Sequence, residues 1–199
     1  FLQRDNGDFH HLYFVKKKRI EPRYRSMFYS EEAALALVMA HEAFGDERYL
    51  RAAERALDYL TGPKYDFFLG WFVYGADHWT CIAADEAWPR LKHTQYLDFC
   101  QGYSDFIGRL QYDGAHWDNR DFDGHYGFSG LLVPQAPGAA GFTEAVLSTY
   151  RLARRHGGDG GALWAQVSAA LGALRREQIR EDNAYQMPQP ASALGGIRR

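Results

Sequence analysis

The chain has 199 residues, of which 46% are hydrophobic and 24% are charged, and its formal net charge is -2 at pH 7. This length and polarity suffice for one globular domain with a sizeable core. The near-neutral charge excludes the strongly basic surface that nucleic-acid binding requires, and no apolar stretch reaches the roughly 20 residues that span a bilayer. We therefore expect a soluble protein without a nucleic-acid partner or a membrane span, and leave its compartment open between cytoplasm and periplasm.

The first thirty residues combine a turn with an irregular stretch. Residues 1–9 read as the last turn of a helix that runs into the Asn6-Gly7 turn, so we expect a further helix before Phe1. Residues 10–29 alternate aromatic and basic side chains around Pro22, which is typical of an extended loop.

Three pairs of helices follow, and each pair joins a helix that is apolar on all sides to one that has a polar face. A helix of the first kind must be buried on most of its circumference, whereas the second kind meets water on one side. Ser30 can cap the first helix, and Gly45 and Pro89 are predicted helix ends. The predicted helices span residues 30–44, 47–60, 79–88, 94–110, 139–155 and 162–178.

This alternation is what a two-layered (α/α) toroid of helical hairpins requires, because the outer layer covers the inner helices. An up-and-down bundle would make all helices comparably amphipathic. Turns within a pair are short, whereas residues 10–29, 61–75 and 111–138 form long connections at the end where the inner helices begin. No low-complexity linker divides the chain. We therefore predict one all-α domain, residues 1–199, with about three hairpins.

Four segments also resemble a known superfamily. They are residues 28–37, residues 44–53, Asp77-His78-Trp79 and Gly195-Gly196-Ile197-Arg198. These segments are similar to the six-hairpin, or (α/α) toroid, superfamily of carbohydrate-active proteins, which includes glycoside hydrolases, uronyl hydrolases, polysaccharide lyases and sugar epimerases. The chain most resembles bacterial toroid proteins whose first helix opens with Tyr-Pro-Gly-Glu, although Ser30-Glu31 stands in place of Pro-Gly. Because such a toroid needs about six hairpins, the resemblance implies half of one, as a fragment or beside another copy of the chain.

Three carboxylates fall near the starts of the predicted inner helices: Glu32, Asp77 and Glu144. Glycosidic cleavage needs two carboxyl groups across the bond, one as acid and one as base or nucleophile. We predict Asp77 and Glu144 as this pair. The alternative is that acids in first turns cap the helices and complement the helix dipole. His78, beside Asp77, is either a proton shuttle near neutral pH or a hydrogen-bonded wall residue.

The densest cluster of polar and aromatic residues is the stretch 116–126. Its rings can stack on sugars and its arginine can pair with a uronic carboxylate. The alternative is a loop held in place by its own aromatic side chains. The candidate saccharide-binding residues are Trp79, Trp117, Asp118, Arg120, His125, Tyr126 and Tyr185.

Two further features bear on cofactors and cross-links. Asn119-x-Asp121-x-Asp123-Gly124 matches the first half of an EF-hand loop, but Gly130 stands where the bidentate glutamate belongs. We therefore predict no metal or other cofactor, with calcium as the alternative. Cys81 and Cys100 occupy apolar helix positions, where free cysteine behaves as a small hydrophobe, and a single bridge between neighbouring helices stays open.

Together these features predict a carbohydrate-active toroid domain that binds a polysaccharide or oligosaccharide and acts on it by acid/base chemistry, as a hydrolase, lyase or epimerase. The alternative is a non-catalytic toroid module that binds saccharide or protein within a larger assembly.

Overall fold

A computed structural model describes residues 1–26, 28–64, 78–115, 120–127 and 134–197. Within these ranges the chain is mostly helical, with one two-stranded antiparallel sheet, which confirms the all-α prediction. None of the described helices has the length and apolarity needed to cross a membrane. The elements are β1 Tyr13–Phe14, β2 Arg19–Ile20, α1 Tyr29–Phe44, α2 Glu47–Leu60, α3 His78–Leu91, α4 Thr94–Gly108, α5 Ala136–Arg155, α6 Gly161–Arg176 and α7 Pro190–Ala193.

The turn between α1 and α2 forms as the sequence predicts. Gly45 adopts a left-handed conformation with φ 67°, and its N–H donates to the carbonyl of His41. Asp46 then caps α2, because its carboxylate accepts the backbone N–H of Arg48 at 2.8 Å. The predicted bounds of α2 are therefore confirmed.

Other helix ends differ from the prediction. Ser30 lies inside α1 rather than at its cap, because its hydroxyl donates to the Asp8 carboxylate instead. α3 continues through Pro89 to Leu91. Proline cannot donate to the carbonyl four residues earlier, that of Asp85, and the guanidinium of Arg155 donates to this carbonyl at 2.8 Å.

α3 is the central helix of the described fold. It packs against α1 and against α5, and residues on most of its circumference are buried, whereas α2 buries one face only. α3 and α5 run in the same direction, because His78 at the start of α3 lies against Gly141, and Asp85 further along contacts Arg151 and Arg155 near the end of α5.

Two buried links tie α3 to its neighbours. A disulfide joins Cys81 of α3 to Cys100 of α4, with both side chains wholly buried and the Cα atoms 5.6 Å apart. The bridge that the sequence left open is therefore present. Asp85, also wholly buried, forms ion pairs with Arg151 and Arg155 of α5. These links fix α4 and α5 relative to α3.

The loop predicted for residues 10–29 contains a short hairpin. Tyr13 pairs with Ile20 and Phe14 with Arg19, so β1 and β2 form a small ribbon ahead of α1. This ribbon is the only strand pair of more than one bridge among the described residues.

Candidate functional site

The structure separates the predicted site residues into several regions. Asp77, Trp117 and Asp118, and Asn119 of the possible calcium loop, lie outside the described residues. The others lie at the start of α3 (His78, Trp79), on α5 (Glu144), on α1 (Glu32), in the loop before α5 (Arg120, His125, Tyr126) and in the C-terminal segment (Tyr185).

The start of α3 meets α5 where His78 lies against Gly141. We call this contact, together with Trp79 next to His78 and Glu144 one helical turn after Gly141, the α3–α5 mouth. The His78 and Trp79 rings are 5.0 Å apart between centroids. A β-carbon at Gly141 would lie 3.2 Å from both Cδ2 and Nε2 of His78, so glycine allows the imidazole to rest against α5. Glu144 follows three residues later on the same helix face, at a Cβ separation of about 5–6 Å from that position.

Glu144 does not act as a helix cap. α5 begins at Ala136, three residues earlier than predicted, so Glu144 is beyond the first turn, where no acidic residue is found. The field of a helix dipole falls off within that turn. The capping alternative therefore does not account for Glu144, which is exposed on α5. Glu32, in contrast, lies in the first turn of α1.

Glu32 lies away from the α3–α5 mouth. It lines an open cavity of about 920 Å³ between α1, α2 and the N-terminal segment, which we call the α1–α2 cavity. Its lining residues are Phe1, Leu2, Gln3, Phe9, Tyr29, Glu32, Ala33, Ala36, Leu37, Arg48, Tyr49, Ala52 and Arg55. Because α1 and α5 both pack on α3, and Glu32 is on the α2 side of α1, the fold does not bring Glu32 and Glu144 into one site.

His125 and Tyr126 are buried, with 3% and 1% of their surfaces exposed. The Tyr126 ring packs edge to face on Phe142 at 5.4 Å, and burial raises the pKa of Tyr126 to about 12. Burial likewise lowers the pKa of His125, although Glu177, 3.8 Å from its Nε2, acts in the opposite direction. In this structure both side chains hold the loop against α5 and α6, and neither presents a ring face to solvent.

Arg120 lies in a second, smaller cavity of about 280 Å³ beside Asp113 and Asp123. Asp123 accepts the backbone N–H of Gly114 at 2.8 Å, which closes this part of the loop. No group of three or more His, Cys, Asp or Glu side chains in the described ranges is arranged to hold a metal ion. Tyr185 is 75% exposed in the C-terminal segment, where Gln186 donates to its hydroxyl at 3.3 Å.

Sequence reasoning missed a polar cluster at the start of α1. The hydroxyl of Ser30 donates to Asp8 at 2.8 Å and lies 3.0 Å from Nε2 of His11. The N–H of Ser26 donates to Nδ1 of His11 at 2.7 Å, so the neutral ring carries its proton on Nε2 and donates to Ser30. A serine nucleophile needs the opposite, a histidine that accepts the hydroxyl proton. The cluster therefore fastens the N-terminal segment to α1.

Asp8 stays ionised within this cluster. Burial raises the pKa of Asp8, but the nearby His11, hydrogen bonds from the Phe9 backbone and Ser30, and the charge of Arg25 lower it to about 2. Asp8 and Ser30 are 22 residues apart, so no local pattern indicates their contact.

Glu31, the residue before the candidate Glu32, is a buried carboxylate at the start of α1. It is 1% exposed and forms an ion pair with Lys64 after α2. The helical wheel of an all-round apolar segment gives no basis for choosing between two consecutive glutamates.

Comparisons with protein-family models, with curated proteins and with solved structures found no match to this chain. The resemblance to the toroid superfamily therefore stays a prediction, and function has to be argued from the site.

Proposed function

We propose that this protein is a carbohydrate-active domain of helical hairpins, arranged as part of an (α/α) toroid, which binds a saccharide at the α3–α5 mouth. Glu144 and Asp77 supply the carboxyl groups, and His78 carries a proton. The observation that supports the proposal best is the placement of His78 against Gly141, one helical turn from the exposed carboxylate of Glu144.

The residues of the mouth suit acid/base chemistry on a sugar. Hydrolysis, elimination and epimerisation all require proton transfer by a positioned side chain, and histidine and glutamate are the usual groups for this. Trp79 lies beside His78 and remains partly exposed, so its ring offers an apolar surface for a sugar. Hydrolysis further needs a second carboxyl group across the bond, which is the role of Asp77 in this proposal.

The packing of the helices supports the toroid arrangement. α3 packs against both α1 and α5. α2 packs on α1, and α6 packs on α5. A series of inner helices covered by outer ones is the arrangement of stacked helical hairpins. In this proposal, the long connections gather at the end of the toroid where α3 and α5 begin.

A specific observation favours a second function, that of a non-catalytic saccharide- or protein-binding module. Glu32 lines the separate α1–α2 cavity, so it is not available as a second carboxyl group beside Glu144. In this alternative Glu144 has no carboxyl group opposite it, and such a site can bind a sugar but lacks the pair that glycosidic cleavage requires.

A glycan array, followed by chromatography and mass spectrometry of each bound glycan after incubation, separates the two functions. Binding with a new product, of lower mass or of equal mass and changed retention time, supports the catalytic domain. Binding without product supports the saccharide-binding module. An array that shows no saccharide binding at any protein concentration would contradict the catalytic domain and leave only a protein-binding module.

A further inference from the structure

The outer helices of the first two hairpins share a sequence pattern. α2 begins at Glu47 and α4 at Thr94, and each has Tyr-Leu at its third and fourth positions and Asp at its twelfth. The twelfth position is followed by an aromatic and an aliphatic residue in both. The matched residues are Tyr49-Leu50 with Tyr96-Leu97, and Asp58-Tyr59-Leu60 with Asp105-Phe106-Ile107. The two helices are therefore equivalent parts of a repeated unit.

The repeated tyrosine of α4 is buried by the preceding hairpin. Tyr96 is wholly buried, and its hydroxyl donates to Asp58 near the end of α2 at 2.8 Å. Next to it, Gln95 donates to Thr61 at 2.9 Å. The start of one outer helix is thus covered by the end of the previous one.

The same relationship recurs between the second and third hairpins. The side chain of Gln166, early in α6, donates to the carbonyl of Ser104 in the second half of α4 at 3.3 Å. Gln111, just after α4, donates to the carbonyl of Gln166 at 3.0 Å. In both contacts the start of one outer helix is covered by the later part of the previous outer helix. We call the covered start the receiving edge and the covering part the donating edge; the names refer to which hairpin covers which, not to hydrogen-bond donors.

The receiving edge of the first hairpin is covered only in part in the described structure, by the N-terminal segment, whose Gln3 donates to the Ala52 carbonyl at 2.8 Å. Tyr49, the counterpart of the buried Tyr96, lines the open α1–α2 cavity together with Ala33, Ala36 and Ala52. Small residues on two adjacent helices leave a groove into which the ridges of a further helix can pack. Met39, at 57% exposure, extends the apolar surface along α1.

The donating edge of the third hairpin is uncovered in the described part of the chain. Leu171 is the eleventh residue of α6, as Ser104 is of α4, and it is 45% exposed. Trp164 lies two turns earlier, near the start of α6, and is 49% exposed. Residues spaced by seven positions lie on one helix face, and the residue between these two, Ser168, is small and exposed. The two large apolar side chains and the small residue between them form what we call the α6 stripe. The chain thus carries both surfaces of the contact that it forms twice internally.

We propose that a second copy of this chain docks the donating edge of its third hairpin, on α6, into the α1–α2 cavity, and so continues the hairpin-to-hairpin contact between copies. The two surfaces differ, so the contact is head to tail. Such a contact closes into a ring or extends into a longer series, according to the rotation between copies. The inference goes beyond the proposed function and does not depend on it.

Sedimentation velocity of the purified chain over a wide concentration range tests the proposal, with three variants. Ala36→Arg places a charge in the α1–α2 cavity, Leu171→Arg places one on the α6 stripe, and Val15→Arg is the matched control at a 76% exposed valine outside both surfaces. We expect assembly of the wild type and the control, and monomers of the other two. Circular dichroism and thermal melts verify that each variant is folded.

Mixing the two monomeric variants gives the sharpest result. Each retains the edge that the other has lost, so a head-to-tail contact predicts that the mixture associates through one intact interface. The proposal is overturned by a wild type that is monomeric throughout, which would leave the cavity to another occupant such as a ligand. It is also overturned by a Leu171→Arg variant that assembles like the wild type, or by a mixture that stays monomeric.

Discussion

The imidazole of His78 rests on Gly141: an alanine at 141 would place its β-carbon 3.2 Å from Cδ2 and Nε2 of the ring. Glycine inside a helix is destabilising by roughly 0.5–1 kcal/mol relative to alanine. At position 141 the missing side chain leaves room for the start of α3, where the proposed proton carrier His78 lies.

Replacing Gly141 by alanine should move His78. The added methyl group must displace the imidazole by a few tenths of an ångström, so we expect its proton and carbon NMR resonances to shift, and the gain in helix stability to be partly lost. Gly102→Ala in α4 is the matched control, because nothing lies within 4 Å of a β-carbon there. The control should gain about 0.5–1 kcal/mol in urea unfolding and leave the His78 signals in place. Equal behaviour of the two variants would contradict the contact.

Reduction of the disulfide should destabilise the protein. The Cys81–Cys100 bridge closes a loop with a sequence separation of 19, and such a cross-link contributes about 3 kcal/mol, mainly by restricting the unfolded chain. We expect a lower midpoint of urea unfolding in the presence of dithiothreitol. The double variant Cys81→Ala/Cys100→Ala should already show the lower midpoint and should not respond to the reductant. A wild type whose midpoint is insensitive to full reduction would exclude a stabilising bridge.

Asp8 should make stability depend on pH in the acidic range. Its folded-state pKa of about 2 lies below the ordinary value of 3.8, so its contribution is fully present above pH 3.8 and is lost as the pH falls through 2. The shift corresponds to about 2 kcal/mol. Urea unfolding at several pH values should show this loss in the wild type and in Asp98→Asn, an exposed control on α4, but not in Asp8→Asn. An unchanged pH dependence in Asp8→Asn would rule out the assigned role.

Removing one arginine from the Asp85 cluster should be costly. Asp85 is wholly buried, whereas the Arg151 and Arg155 side chains are 42% exposed. Loss of Arg155 therefore leaves a buried carboxylate short of a partner and leaves the Asp85 carbonyl without its donor. Breaking a buried ion pair outright costs about 3–5 kcal/mol. Because Arg151 still pairs with Asp85 and Arg155 is partly exposed, we expect Arg155→Met to lower the free energy of unfolding by less, about 1–3 kcal/mol, the cost of leaving a buried polar group unsatisfied. Arg90→Met, at an exposed arginine of α3, is the control and should change it little.

Local signals in the sequence predicted the helices, and contacts distant in the sequence determined the rest. α2 has the predicted bounds because Gly45 and Asp46 act within one turn of the helix ends. The end of α3 was predicted wrongly at Pro89, because the group that satisfies the Asp85 carbonyl comes from Arg155, 70 residues away. A single sequence carries no periodic signal for such a pair.

The candidate site shows the same division. Glu144 and His78 were selected from their positions near helix starts, and the fold brings them to adjacent helices. Tyr126 was selected for its ring, but composition does not distinguish a ring that meets a ligand from one that packs on Phe142. The Ser30 hydroxyl was predicted to cap a helix, but it donates to Asp8. The prediction was wrong because Asp8 lies in a separate segment of the chain, and a local pattern does not reveal such a partner.

The central claim is that Glu144 takes part in chemistry on a bound saccharide at the α3–α5 mouth, and turnover by Glu144→Gln tests it most directly. The substrate is the glycan that the wild type binds and converts, and Glu42→Gln, at an exposed glutamate of α1, is the matched control. We predict that Glu144→Gln retains binding and its melting temperature but loses product formation by at least about 100-fold, the usual contribution of a positioned acid or base. Turnover by Glu144→Gln equal to that of Glu42→Gln would contradict the claim.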